Sequence, residues 1–177
     1  DGTDGVLAID SGTTTLDLGA ATIFTRNYKS ISITGTGALA FSNPNTNGTI
    51  IVLKSQGDVI LTSSATPMID ASVMGAAGGA EKSGSGGADD GNPGEFGTSF
   101  VTQTNLAAAG KAGNATTVGT AGGVAGAAVF YILTTRGKVI RASCGSGGAT
   151  GGVDGSASPN SPAGGRGGAA LSIECNG

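Results

Sequence analysis

The side chains able to do chemistry in this chain carry oxygen and sulfur. The densest acidic cluster reads Ala88-Asp89-Asp90-Gly91-Asn92-Pro93-Gly94-Glu95. Asp89, Asp90, Asn92 and Glu95 would offer hard oxygen ligands from one turn-rich loop, a donor set suited to Ca²⁺. Their spacing does not match the EF-hand loop, so a solvated acidic turn is the competing reading. Four further carboxylates, Asp10, Asp17, Asp58 and Asp70, lie on or beside strand-like segments. Two carboxylates facing one another could act as acid and base on a glycosidic bond, but no spacing singles out a pair.

Other catalytic sets lack members. The chain contains no histidine, which removes the usual base of a Ser or Cys triad and every His-based zinc site. Arg136-Gly137-Lys138 lacks the glycine frame and following hydroxyl of a phosphate-binding loop. The Gly-Gly-x-x-Gly motifs precede strand-like text, where a dinucleotide fingerprint would open a helix. These residues predict a protein that is not an enzyme and needs no cofactor, with Ca²⁺ as the one candidate ion. A net charge of −3 with scattered Lys and Arg gives no basic patch for nucleic acid.

The two cysteines belong to an internal repeat. Residues 121–132 and 163–174 both carry Ala-Gly-Gly-x-x-Gly-Ala-Ala, and each follows a strand-like segment that runs into glycine: Met68–Ser72 and Val139–Ser143. Aligning the copies sets Val73 opposite Cys144 and Leu133 opposite Cys175. An apolar pair in one copy thus answers a cysteine pair in the other, which predicts a Cys144–Cys175 disulfide. Such a bridge would stabilise by about 3–4 kcal/mol on the chain-entropy account and imply an oxidising compartment.

The elements that would hold these groups are strands. Val6–Ile9, Thr14–Leu18, Thr22–Thr25, Ser30–Thr34, Ala38–Ser42, Thr49–Lys54, Asp58–Thr62 and Pro67–Ala71 are short, rich in β-formers and separated by turn residues such as Gly35-Thr36-Gly37 and Asn47-Gly48. Ile31 with Ile33 and Leu39 with Phe41 alternate, whereas Ile50–Leu53 and Val59–Leu61 are apolar on both faces and predict central, doubly covered strands. No segment has helical periodicity. The expected fold is all-β: a parallel β-helix or solenoid-like stack of short strands with glycine-rich excursions, the alternative being a β-sandwich or jelly roll built on hairpins. Residues 1–74 form the strand-rich region and 75–177 the glycine-rich region, expected to be continuous as one domain.

Glycine, 35 residues in all, often recurs at every third position: Gly75/Gly78, Gly91/Gly94/Gly97, Gly145/Gly148, Gly165/Gly168. A threefold extended helix puts such residues on one side, where glycine alone lets backbones touch. That spacing predicts packed extended segments, against the flexible linker that composition by itself suggests. The uncharged run 112–135 approaches a membrane span in length, but Asn114, Thr116, Thr117 and Thr120 make its first half polar and the second repeat copy carries Arg166 and Glu174. The expectation is a buried strand and no membrane insertion. A chain starting at Asp1 reads as a secreted product whose leader has been removed.

Ser11-Gly-Thr-Thr-Thr-Leu-Asp-Leu-Gly19, the stretch Tyr28–Phe41 and the Gly-Gly excursions resemble glycine-rich secreted surface proteins of uncultured bacteria, and the glycine-rich half is loosely similar to the polyglycine tips of phage tail adhesins. Neither resemblance carries over a functional residue. The resulting expectation is an extracellular, cell-surface structural subunit that assembles with copies of itself into a filament or layer. The alternative is an adhesin that binds a host-surface glycan or receptor.

Overall fold

In the computed structural model the described residues are 2–80, 88–89, 130–133, 139–142, 144, 153–154 and 163–175. Within them the chain is all-β, with no helix. The strands are β1 (Val6–Ile9), β2 (Thr13–Asp17), β3 (Ile23–Tyr28), β4 (Ser30–Ile33), β5 (Ala38–Ser42), β6 (Ile50–Ser55), β7 (Val59–Leu61), β8 (Ile69–Asp70), β9 (Ala88–Asp89), β10 (Phe130–Leu133), β11 (Val139–Ala142), β12 (Val153–Asp154) and β13 (Ala170–Cys175).

Three parallel sheets make up the framework, ordered β1-β4-β7, β2-β5-β8 and β3-β6-β13. From β1 to β8 consecutive strands therefore go to different sheets, and every third strand returns to the same one. The first three strands are outer strands, β4, β5 and β6 are the middle strands, and β7, β8 and β13 are outer on the opposite side. Residues 71–169 lie between β8 and β13, so sheet three takes its last strand from the glycine-rich half.

Side-chain alternation fixes which face is buried. In β1 Leu7 and Ile9 are buried while Val6 and Ala8 are exposed. Ile31 and Ile33 in β4 and Leu39 and Phe41 in β5 follow the same period of two. Parallel register stacks like positions into columns: Leu7 on Ile31 on Val59, Leu39 on Ile69, and Phe24 on Ile51 on Leu171. These columns meet in one core that also takes in Leu18, Leu53 and Met74.

Two expectations are corrected. All pairings among β1–β8 and β13 are parallel, so the Asn-Gly and Gly-x turns pass the chain from one sheet to the next and do not build the hairpins of a sandwich or jelly roll. The strand Val59–Leu61 is an outer strand, with Ile60 45% and Leu61 37% exposed; among the described residues it pairs with β4 alone. Beyond the three parallel sheets, β10 and β11, which end one repeat copy and open the next, pair antiparallel, Phe130 opposite Ala142.

The reading of Ile50–Leu53 does hold. Strand β6 is central, with Ile51 and Leu53 facing the main core while Ile50 and Val52 pack with Cys144 and Ala170 on the other face. Its two apolar faces serve two separate clusters.

Turns tie successive strand sets together. Thr34, Thr36 and Ala38 donate backbone N–H groups to Ile9, Asp10 and Gly12 carbonyls at 2.8–2.9 Å. One turn residue is under strain. Val73 has φ of +55°, a left-handed conformation that β-branched side chains strongly resist. Its side chain is 61% exposed, so it contributes little packing in return, and the expected contact of Val73 with Leu133 gains no support from that exposure. Val73→Asn is expected to raise stability by about 1 kcal/mol, read as an upward shift in thermal midpoint of about 2–4 °C.

Candidate functional site

Sheet topology separates the candidate carboxylates. Asp17 ends β2 and Asp70 ends β8, with β5 between them. Two inter-strand spacings already make about 10 Å, beyond the separation of a glycosidase pair. Asp10 follows β1 and Asp58 precedes β7, with β4 between those strands. Local bonds occupy three of the four: Asp10 accepts from the Ser11 hydroxyl at 3.4 Å, Asp17 accepts from Gly19 N–H at 2.8 Å, and Asp70 accepts from Ser72 N–H at 2.9 Å and from the Ser72 hydroxyl. Those Ser72 bonds hold the Asp70 carboxyl below its ordinary range. Asp70 also edges an open groove of about 310 Å³ with Thr13, Thr36, Ala38, Thr66 and Pro67.

Of the Ca²⁺ candidates, Asp89 lies in β9, paired antiparallel with Val153 of β12; Asp90, Asn92 and Glu95 lie outside the described residues. Among the described residues no three His, Cys, Asp or Glu side chains gather as a metal site. Among these residues, too, no helix is long and apolar enough to cross a membrane.

The expected disulfide is not formed: Cys144 and Cys175 are both thiols. Cys144 is fully buried against Ile50 and Ala170, at the start of β13, whereas Cys175 is the last residue of that strand. Five strand residues span about 16 Å, well beyond disulfide reach. The Cys175 thiol donates to Gly57 O at 3.3 Å. Repeat alignment misled here because Val73, the residue opposite Cys144, is exposed.

Burial pushes the Cys144 thiol up to about 11, outweighing the backbone N–H of Ala170 and the Arg166 charge. Neutral Cys144 therefore supports the fold fully below about 9, where an unfolded thiol ionises, and this support is lost as pH rises towards 11. A thiol reagent at pH 8 is expected to label Cys175 rapidly and Cys144 only after denaturation. Equal rates at both sites would contradict the burial of Cys144.

The most elaborate arrangement is a glycine clasp at the root of the glycine-rich half. Residues 75–80 and 163–169 run antiparallel, with Gly167 N–H on Ala76 O at 2.8 Å and Gly164 N–H on Gly79 O at 2.9 Å. The bonds recur every third residue, the period of a threefold extended helix and not of a strand. A third segment lies alongside, with Ala77 N–H on Thr46 O at 2.7 Å and an isolated bridge between Asn47 and Ala76. Gly75 and Gly78 face the passing chain: a Cβ at Gly75 would strike the Gly167 and Gly168 carbonyls, and one at Gly78 those of Gly164 and Gly165. The i, i+3 glycine spacing is thus used for backbone contact here.

Arg166 locks this clasp. Its guanidinium donates to Gly75 O at 2.8 and 3.1 Å and to Asn45 O at 3.0 Å, joining all three segments through backbone carbonyls. Thr49 supports the same corner, its buried hydroxyl accepting from Asn45 N–H and donating to Ala21 O.

The two outer strand sets differ chemically. On β3 Arg26 occupies an inward position, in register with buried Leu53, and lies 4.6 Å over the Phe24 ring. Asp4 sits 3.8 Å from that guanidinium and also accepts from Asn27 N–H at 2.6 Å, while Asp4 N–H donates to Asn27 O. The Asn27 backbone on this outer edge is thereby capped. The corresponding inward positions on β7, β8 and β13 are Val59, Leu61, Ile69, Leu171, Ile173 and Cys175, none charged and none fully buried.

Sequence reading singled out neither Arg26 nor the locking role of Arg166. The signal for Arg26 was a charge at the middle position of an otherwise inward-alternating Phe24, Arg26, Tyr28 series. The chain matches no protein-family model, and comparison with curated proteins and with solved structures finds no similar protein.

Proposed function

We propose that the chain is an extracellular structural subunit that assembles with copies of itself into a surface filament or layer, built on a parallel β-helix of three strands per circuit. The common order of the three sheets carries this reading. Each circuit, β1-β2-β3 and then β4-β5-β6, adds one strand to every sheet, and β7-β8-β13 forms a third circuit interrupted by the glycine-rich half. A stack of this kind ends in strand edges whose backbone groups seek partners. Further copies of the chain are the simplest source of matching edges.

The clasp fits a structural role. It commits glycine, an arginine and a buried threonine to holding chain segments together, leaving none of these groups for catalysis. A surface location is supported by the glycine-rich text and its resemblance to secreted surface proteins.

The groove beside Asp70 favours a second reading, an adhesin that binds a glycan through hydroxyl and carboxylate groups. Negative-stain microscopy of purified protein separates the two. Regular fibres or sheets are expected from a structural subunit; discrete particles that bind glycans, with binding lost in Asp70→Ala, would favour the adhesin.

A further inference from the structure

We infer that the groove beside Asp70 binds a carbohydrate carrying a free amine, as in a glucosamine chain. This rests on the glycan-binding reading of the groove, names the sugar class and does not depend on self-assembly. The groove runs over the outward face of β5, where Ala38 and Ala40 form a floor of small side chains. Register puts Thr13 of β2 beside Ala38 on one side and Asp70 of β8 beside Ala40 on the other. Strand β8 matches only two residues of β5, so the chain ahead of it, Ala65-Thr66-Pro67, stands outside the ladder as a wall. Hydrogen bonds hold that wall in place. The Ser63 hydroxyl donates to Gly37 O at 2.6 Å and the Ser64 hydroxyl to Gly35 O at 3.0 Å, while Ala65 N–H donates to the Ser63 hydroxyl. The site is thus built before a ligand arrives, and its volume of about 310 Å³ lies at the small end of ligand sites.

The chemistry of the walls selects the ligand. Both Ser72 bonds to Asp70 end on Oδ1, and among the described residues Oδ2 has no hydrogen-bond partner. The carboxyl is held below its ordinary range and is therefore ionised at neutral pH, yet no Lys or Arg lines the groove. An ammonium group supplies the missing charge and a charge-assisted bond. Thr13, Thr36 and Thr66 are exposed along the same groove and can exchange hydrogen bonds with sugar hydroxyls. The lining has no aromatic ring on which a neutral sugar could stack, so the carboxylate is the main source of discrimination. The clasp lies beyond the far end of this sheet, with 75–80 following β8 and 163–169 preceding β13, whereas the groove opens where β2 and β5 begin.

Chemical-shift titration of the native chain with chitosan disaccharide, its N-acetylated counterpart and cellobiose tests the inference, at mildly acid pH where the amine is charged and Asp70 stays ionised. The free amine is expected to bind about fivefold more tightly than either neutral sugar, the worth of an exposed ion pair, with shifts centred on Thr13, Ala40, Thr66 and Asp70. Added salt should reduce that preference. Asp70→Asn keeps an oxygen for both Ser72 bonds and, with its fold checked by circular dichroism, is expected to bring all three sugars to the same weak affinity. Equal binding of the three sugars by the native chain, or an amine preference that survives Asp70→Asn, would overturn the amine inference while leaving glycan binding standing. Shifts that avoid the groove with every sugar, or no shifts at all, would overturn both.

Discussion

Gly78→Val is expected to unfasten the glycine clasp and destabilise the protein by about 3 kcal/mol or more. A Cβ at this position would meet the Gly164 and Gly165 carbonyls, backbone atoms that cannot swing aside as a side chain could. To relieve the clash, residues 75–80 must draw back from 163–169. This movement sacrifices the Gly164–Gly79 and Gly167–Ala76 bonds, each worth about 1 kcal/mol, and strains the contacts of Arg166. Gly165→Ala is the matched control, because a Cβ there meets open space and should change stability by no more than about 0.5 kcal/mol. Urea denaturation of the two variants makes the comparison. Equal stabilities would mean that glycine at 78 is not required by close packing.

Leu53→Ala is expected to cost about 2–5 kcal/mol. Leu53 is fully buried on the central strand of its sheet, between Arg26 on one side and Ile173 on the other. Parallel ladders on both sides hold the backbone, so the cavity left by the lost methyl groups cannot readily collapse. The same substitution at outward Ile60, 45% exposed, should cost about 1 kcal/mol or less. A small loss at Leu53 would argue against its place in the stacked column.

The strands of the first seventy residues were legible because each signal was local. Alternation at Leu7/Ile9, Ile31/Ile33 and Leu39/Phe41 marks both the strand and its buried face, and the intervening turn residues mark its limits. Sheet membership was harder to read, since a turn that returns the chain to the same sheet and one that sends it onward share their residue types. Val59–Leu61 shows the limit of composition. A run of three apolar residues looks central, but its burial depends on whether another strand follows on its far side.

The glycine-rich half was legible where spacing had a geometric consequence. The interval from Gly75 to Gly78 anticipates backbone contact of period three, and the described clasp has that form. The partners of those glycines, Gly164–Gly168 and Asn45–Asn47, lie far away in sequence, and no local pattern identifies them. Cysteine pairing failed for a related reason. Repeat copies that are similar in sequence occupy different surroundings, so Val73 is exposed where Cys144 is buried. The carboxylates gave no pattern for a site, and sheet order now explains why Asp17 and Asp70 stay apart.

The stack and the clasp both depend on β13 being the third strand of the β3-β6-β13 sheet. Cleavage at a single protease site inserted near residue 110, followed by native size exclusion, tests this most directly. The six residue pairs from Ala170–Ile50 to Cys175–Ser55, together with the clasp, should keep the two fragments together until denaturant is added. Separation of the C-terminal fragment under native conditions, with the N-terminal fragment still folded, would contradict the account.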